Sequence, residues 1–212
     1  MGIEKVLVST FVILIVIYIF GISGCSNEGG KIGLVNEEDS YLPVTVGSWW
    51  KYVDSDYPEY AKEIIVITGT KRLENGKIVM VAETSEDQGY LSQGSNDMIL
   101  FHEKLDDLEG ELVYNPPLKI GATWQSNNGS ARVVAKEVVE TPAGMFEDCY
   151  RIDATVAHAG YYDYYYDEYI EYSDNYAVWL AQGVGPVKIA EIGSDSQKIK
   201  NVVVLDSYQI AE

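Results

Sequence analysis

From Tyr41 to the end of the 212-residue chain, short apolar runs rich in Val, Ile, Thr and Tyr alternate with turn signals. Lys62 to Thr70, KEIIVITGT, and Lys77 to Thr84, KIVMVAET, flank Glu74-Asn75-Gly76. Asn-Gly is the strongest short-range hairpin signal because both residues tolerate positive φ. Met98 to Glu103 and Glu111 to Tyr114 predict a second hairpin around Asp106 to Gly110, and Trp124 and Arg132 to Val139 a third around Asn127 to Ser130. Pro142-Ala143-Gly144 must turn or bulge the stretch Val138 to Ile152, and Val178 to Ile192 holds Gly183, Gly185 and Pro186. Lys200 to Ile210 closes the chain as a strand. Runs of this kind, with no long capped helical period, predict an all-β or β-dominated domain of antiparallel strands.

One phrase occurs twice. Pro43 to Trp50 reads PVTVGSWW and Pro117 to Trp124 reads PLKIGATW, so Pro43, Gly47 and Trp50 are answered by Pro117, Gly121 and Trp124. Proline is tolerated at a strand entry, glycine permits a bend, and a tryptophan three residues on covers a core. The spacing predicts a structural repeat: two β-meander halves, each begun by the same bend and aromatic plug.

The N-terminus has a different character. Lys5 precedes an uncharged run, Val6 to Ile22, followed by Ser23-Gly24-Cys25. The layout is that of a secretory signal over residues 1–24, and Ile22-Ser23-Gly24-Cys25 resembles the bacterial lipobox, in which the cysteine is acylated and becomes the first mature residue. Each buried acyl CH₂ contributes ~0.8 kcal/mol, so two or three chains on Cys25 form a durable tether. An uncleaved membrane-anchored structural protein is the alternative, since a spanning helix needs ~20 apolar residues. Residues 25–40, polar and acidic, read as a lipidated flexible tether, and 41–212 as a single β-rich domain. The expected location is extracytoplasmic, anchored to a membrane by an N-terminal lipid. With Cys25 acylated, Cys149 alone remains, which rules out a disulfide framework and suits a small buried apolar residue.

The formal charge is −18, and removing residues 1–24 takes away Glu4 and Lys5 without changing it. Such a chain is unsuited to nucleic acid, which attracts basic surfaces, and to adhesion to anionic lipid by charge.

Three phrases together resemble a group of secreted bacterial and archaeal lipoproteins known as TapB-like: Tyr41 to Tyr52, YLPVTVGSWWKY; Val139 to Cys149, VETPAGMFEDC; and Trp179 to Lys188, WLAQGVGPVK. Val44 replaces the usual leucine, and Pro186 follows the second late glycine. The resemblance implies a fold like the LolA/LolB half-barrel, a curved antiparallel sheet whose concave face takes up acyl chains. It brings no catalytic residue with it, and fold does not fix function.

Nothing in the spacing of polar residues points to catalysis, a metal or a cofactor. His102 and His158 are 56 residues apart and match no zinc pattern, and Ser92, in Gly89 to Gly94, lacks the G-x-S-x-G elbow. The stretch Tyr161 to Tyr176, YYDYYYDEYIEYSDNY, is the peculiar one. As a strand or long hairpin it alternates tyrosine and acid; as a helix it gathers tyrosines on one side and acids on another. Tyr162, Asp163, Tyr164, Tyr165, Tyr166, Asp167 and Tyr169 form a candidate interaction surface, because tyrosine offers rigid area with a polar tip. A solvated edge whose charges deter aggregation is the bland reading of the same residues, and a Ca²⁺ site finds no supporting motif. Two functions follow as expectations: a non-enzymatic envelope lipoprotein binding an apolar or lipidic ligand in its concave sheet, or a surface module for protein or glycan acting through 161–176.

Overall fold

The computed structural model describes residues 40–85, 87–94, 98–126, 129–163, 168–193 and 198–211. The signal, Cys25 and the tether up to residue 39 lie outside the described residues. The first six strands are β1 Trp49–Asp54, β2 Ala61–Arg72, β3 Ile78–Glu83, β4 Gln88–Gln93, β5 Ile99–His102 and β6 Glu111–Tyr114. The second six are β7 Thr123–Ser126, β8 Gly129–Thr141, β9 Gly144–Asp163, β10 Glu168–Ala181, β11 Gly185–Ile192 and β12 Ile199–Gln209. All described elements are strands of one antiparallel sheet, ordered β6-β5-β4-β3-β2-β1-β12-β11-β10-β9-β8-β7. Each half is therefore a six-stranded meander, and the two join where β1 pairs with β12, Tyr52 opposite Leu205.

The repeated phrase opens each half with one geometry. Gly47 and Gly121 have φ of 97° and 89°. The Gly47 N–H donates to the Ile67 carbonyl at 2.7 Å and Ser48 N–H to Thr45 at 3.0 Å, while Ile67 N–H returns to Ser48 at 2.9 Å. In the second half Gly121 donates to Val133 at 2.8 Å, Ala122 to Lys119 at 2.9 Å, and Val133 to Ala122 at 2.9 Å. Each bend thus ties the strand entry to the following strand, and Trp50 and Trp124, three residues on from the glycines, are 4% and 7% exposed.

Chain length forces the sheet to curl. Laid flat, twelve strands would hold β6 and β7 roughly 50 Å apart at ~4.8 Å per strand. The connection 115–122 reaches at most about 30 Å at ~3.5 Å per residue. Side chains from both ends accordingly share one core: Leu112 and Tyr114 of β6, Leu118 of the connection, Trp124 of β7, and Trp50, Tyr52 and Leu205 from the middle. A second, smaller cluster, Leu73, Val79, Val81 and Tyr90 with Leu105, lies beneath the β5–β6 connection.

The turns follow the expected chemistry with local differences. Asn75 Oδ1 accepts from Lys77 N–H at 2.9 Å, and of the Asn-Gly pair only Gly76 takes positive φ, 88°. The third turn is shorter than the composition suggests, because β8 already begins at Gly129 and pairs Gly129 with Ser126. Gly183 lies in the turn between β10 and β11, and Pro186 lies within β11 opposite Leu180, beside a register shift at Trp179 and Leu180. The helical reading of 161–176 is not realised. The chain runs up β9 to Asp163 and back down β10 from Glu168, since pairing of these two strands with each other, from Ser173 opposite Ala157 to Glu168 opposite Asp163, overrides the 3.6-residue pattern.

Candidate functional site

The longest hairpin carries the candidate surface. The last partner of β9 on β8 is Val156, opposite Gly129, and the last partner of β10 on β11 is Asn175, opposite Ile192. Beyond these, among the described residues, 157–163 and 168–174 pair only with each other, from Ser173 opposite Ala157 to Glu168 opposite Asp163. The result is a two-stranded arm roughly 24 Å long at ~3.4 Å per residue. Such a ribbon is only marginally stable by itself, and each of its edges carries backbone groups beyond the reach of the β8 and β11 ladders.

Of the residues expected there, Tyr162 and Asp163 stand in β9 and Tyr169 in β10, with Tyr162 directly opposite Tyr169. Tyr169 is 60% exposed. Tyr164, Tyr165, Tyr166 and Asp167 lie outside the described residues. At the base of the arm Tyr176 is buried, its hydroxyl donating to Asp174 Oδ2 at 3.2 Å, and Thr155 Oγ1 is 2.7 Å from Asn175 Oδ1. The sheet below is rigidly packed: Tyr176 to Ala181 are six consecutive residues each at most 4% exposed, so both faces of β10 are covered. Trp179 donates its indole N–H to Glu137 at 2.7 Å, beneath Lys188 Nζ at 4.5 Å and the Arg151 guanidinium at 5.3 Å from the ring centroid.

Pro43, Gly47 and Trp50, with Pro117, Gly121 and Trp124, sit at the opposite end of the sheet from the tip of the arm. Trp50 donates to the Val184 carbonyl at 2.6 Å, and Pro43 and Trp50 both crowd Gly185. These residues bend and plug the fold; they present no ligand platform.

The fold makes one pairing that motif spacing does not show. Ser92 and His102, on the neighbouring strands β4 and β5, lie 2.7 Å apart, Oγ to Nε2, at 1% and 0% exposure. The other ring nitrogen, Nδ1, is 2.7 Å from the Asp107 carbonyl and must carry a proton to bond it. Nε2 is then the acceptor and the serine hydroxyl the donor, an arrangement inferred from the bonding pattern. Burial lowers the His102 pKa, which keeps the ring neutral and suits this tautomer. Gly110, at φ 66°, closes over the ring, and its N–H donates to Asp107 Oδ1 at 3.0 Å. The serine and histidine are thus sealed under the β5–β6 connection and fasten it. The signal lay in hairpin register, which sets Tyr90 opposite His102 and Ser92 opposite Leu100, so that Ser92 and His102 meet on the diagonal.

Cys149 is fully buried, and burial pushes its thiol up to about 11. It is an unreactive core residue. Among the described residues no group of His, Cys, Asp and Glu could hold a metal ion, and no helix is long and apolar enough to cross a membrane.

No family model and no curated protein matches the chain. Two solved structures are similar to it in outline. One, described as an exported protein of Bacteroides fragilis with a YmcC-like fold, is 14% identical over 79% of this chain and 98% of that one, with a TM-score of 0.48. The other, described as a lipoprotein of Parabacteroides distasonis, is 13% identical over 80% and 98%, with a TM-score of 0.43.

Proposed function

We propose that this chain is a membrane-tethered, non-enzymatic protein of the cell envelope that works by contact, holding out the β9–β10 arm to a cationic protein partner. The observation that carries the reading is the arm itself: among the described residues its two strands leave the β8 and β11 ladders at Val156 and Asn175 and pair onward only with each other. Between Tyr161 and Asp174 the sequence supplies seven tyrosines and five acids with no Lys or Arg. Tyrosine faces and carboxylates attract guanidinium and ammonium groups, and edge strands accept an added strand.

The carrier reading, an apolar or lipidic ligand held in the curved sheet, requires space in the core. Tyr52, Val133, Ile152 and Leu205 have no accessible surface, so no acyl-sized space adjoins them unless the core repacks. That favours contact over carriage.

The test uses the full chain in detergent micelles, with fluorescence anisotropy of a labelled hexa-arginine peptide and of a neutral peptide of equal length. Replacing Tyr162 and Tyr169 by Ser leaves every arm charge in place. The reading expects the double variant to bind hexa-arginine about tenfold more weakly, ~1.4 kcal/mol, with an unchanged urea midpoint. Unchanged affinity would show attraction to net charge alone and remove the arm from the account. Native mass spectrometry of the same preparation decides the carrier reading, which stoichiometric copurified fatty acid or phospholipid would restore.

A further inference from the structure

Because neighbouring strands alternate in direction, the sheet has two rims. One collects the segment 40–48, the connections 73–77, 94–98, 115–122, 142–143 and 182–184, and the end of the chain after Gln209. The other collects 55–60, 84–85, 87, 103–110, 193 and 198, with the end of β7 at Ser126 and of β9 at Asp163. The tether enters the fold at the first rim. The Ser40 carbonyl there accepts from Gly183 N–H at 2.7 Å, and the Tyr41 ring meets Tyr150 edge-on at 5.1 Å.

The rims differ in their exposed apolar residues. Val46, at 45%, and Ile120, at 63%, hold the same place in the two copies of the repeated phrase, immediately before the positive-φ glycine. Pro, Gly and Trp of that phrase are accounted for by the bend and the core; an aliphatic side chain held out in water at both turns is not. Met145, at 68%, flanks the 142–143 turn of the same rim, with Val138 close by at 64%. Among the described residues the exposed large residues at the other rim are mainly tyrosines with polar tips, Tyr57, Tyr60 and Tyr169, with Leu108 and, three residues into β2, Ile64 the aliphatic ones.

Charge divides the same way. Among the described residues, the connections of the tether rim carry Glu74 against Lys77 and Lys119, with Lys119 adjoining Ile120. Those of the other rim carry seven acids against Lys104 and Lys198. For a chain of net charge −18, the connections of the tether rim are less repelled by anionic headgroups than those of the other rim, and the acids that lie nearest to them in sequence are Glu37, Glu38 and Asp39 of the tether. Aliphatic residues flanked by lysine form the usual composition of a shallow interfacial contact.

We infer that the tether-side rim rests on the lipid surface, with Val46, Ile120 and Met145 dipping into the headgroup region, and so holds the acidic rim and the β9–β10 arm away from the membrane. The inference deepens the proposed function and rests on its membrane tether. It adds a second, non-covalent contact that fixes which way the domain faces.

The experiment places a single environment-sensitive fluorophore on the full chain at Ile120→Cys or, at the opposite rim, at Leu108→Cys. Buried Cys149 does not compete for label, and peptide mass spectrometry checks that Cys25 carries none. Each protein is reconstituted in vesicles of phosphatidylethanolamine and phosphatidylglycerol with and without shallow doxyl-labelled lipid. The label at 120 should lose most of its emission to the doxyl lipid, and the label at 108 should lose none. Equal quenching at the two positions would overturn the inference, and so would greater loss at 108. A third protein, labelled at 120 and carrying Val46→Lys and Met145→Lys, should recover emission; continued full quenching would mean that the lipid lifts position 120 by some other route and would overturn the assigned contact. Flotation of the same samples reads the tether separately. If the chain floats but 120 is no more quenched than 108, the rim contact fails while the tether stands. A chain that does not float, yet is quenched at 120 by added vesicles, would retain the rim and lose the tether.

Discussion

Gly110→Ala tests whether the sealed Ser92–His102 pair holds the β5–β6 connection as described. A Cβ on Gly110 would lie 2.4 Å from His102 Cε1 and 2.7 Å from Nδ1. The ring cannot swing aside cheaply, since both nitrogens are engaged at 2.7 Å, by Ser92 and by the Asp107 carbonyl. Gly76 is the control: its φ of 88° carries the same backbone penalty, but nothing lies within 4 Å of the added carbon. An L-residue in the left-handed region costs roughly 1–2 kcal/mol, partly offset by about 0.4–1 kcal/mol from a stiffer unfolded chain. Gly76→Ala should therefore destabilise by about 1 kcal/mol. Gly110→Ala adds overpacking of about 1–3 kcal/mol and strain on two hydrogen bonds worth ~1 kcal/mol each. Its total is about 3 kcal/mol or more. The assay is urea unfolding followed by tryptophan fluorescence, with amide exchange across 103–110 as the local readout. Equal destabilisation by the two variants, with unaltered protection of 103–110, would refute the claim that the ring is clamped.

Acidification reaches the same clamp. Burial depresses the folded pKa of His102, so below the ordinary histidine value near 6.5 the unfolded chain takes up the proton first; stability should fall as pH drops from about 7 toward 5, and a Ser92→Ala, His102→Leu double variant should flatten that slope in urea titrations at each pH. Asp206, held below the usual carboxylate range chiefly by the hydrogen bond from Lys51 at 2.8 Å, loses its contribution only as pH falls through that lowered value; Asp206→Asn, at a part-exposed pair, should cost under about 1 kcal/mol at neutral pH. Cys149, with its thiol near 11, should react with a maleimide at pH 8 only as fast as the chain unfolds, and rapid stoichiometric labelling under native conditions would contradict its burial. Trp50→Phe removes the 2.6 Å bond to Val184 and leaves a gap in the core; a loss of about 2–4 kcal/mol is expected from a thermal or urea midpoint.

Local signals carried far in this sequence, and their limits have physical causes. Asn75-Gly76 and Pro142-Ala143-Gly144 mark turns because their backbones accept few alternatives, and both lie where the composition puts them. The two phrases at Pro43 and Pro117 open the two meanders because the glycine bend and the tryptophan plug are both local requirements. Tyr161 to Tyr176 fits a helical and a strand period at once, and only the pairing of β9 with β10 decides the matter. The Ser92–His102 bond and the shared core of β6 and β7 depend on register and curvature, which no short motif records. The placing of Val46, Ile120 and Met145 at one rim was written in the chain but could be read only once strand direction was known.

The repeat also explains where this sheet stays open. Advancing six strands carries β1 onto β7 and β12 onto β6, so the counterpart of the β1–β12 pairing would be a β7–β6 pairing that closes the ring. That pairing is missing from the sheet. β12 runs eleven residues and offers β1 a long ladder, whereas β6 has four residues and is followed by Pro116-Pro117, which supply no N–H donors. The seam is bridged instead by 115–122, with Leu118 turned into the core and Gly121 bonded to Val133. Elsewhere around the sheet, opening the core would break a continuous ladder; at the seam it requires displacement of one short connection and the strap at Tyr41, whose N–H reaches Tyr114 Oη at 3.4 Å. If an apolar guest ever enters this core, the seam is the entrance of lowest cost. A disulfide between residues placed in β6 and β7 would then block uptake while leaving the distant β9–β10 arm free to bind, separating carriage from contact in one protein.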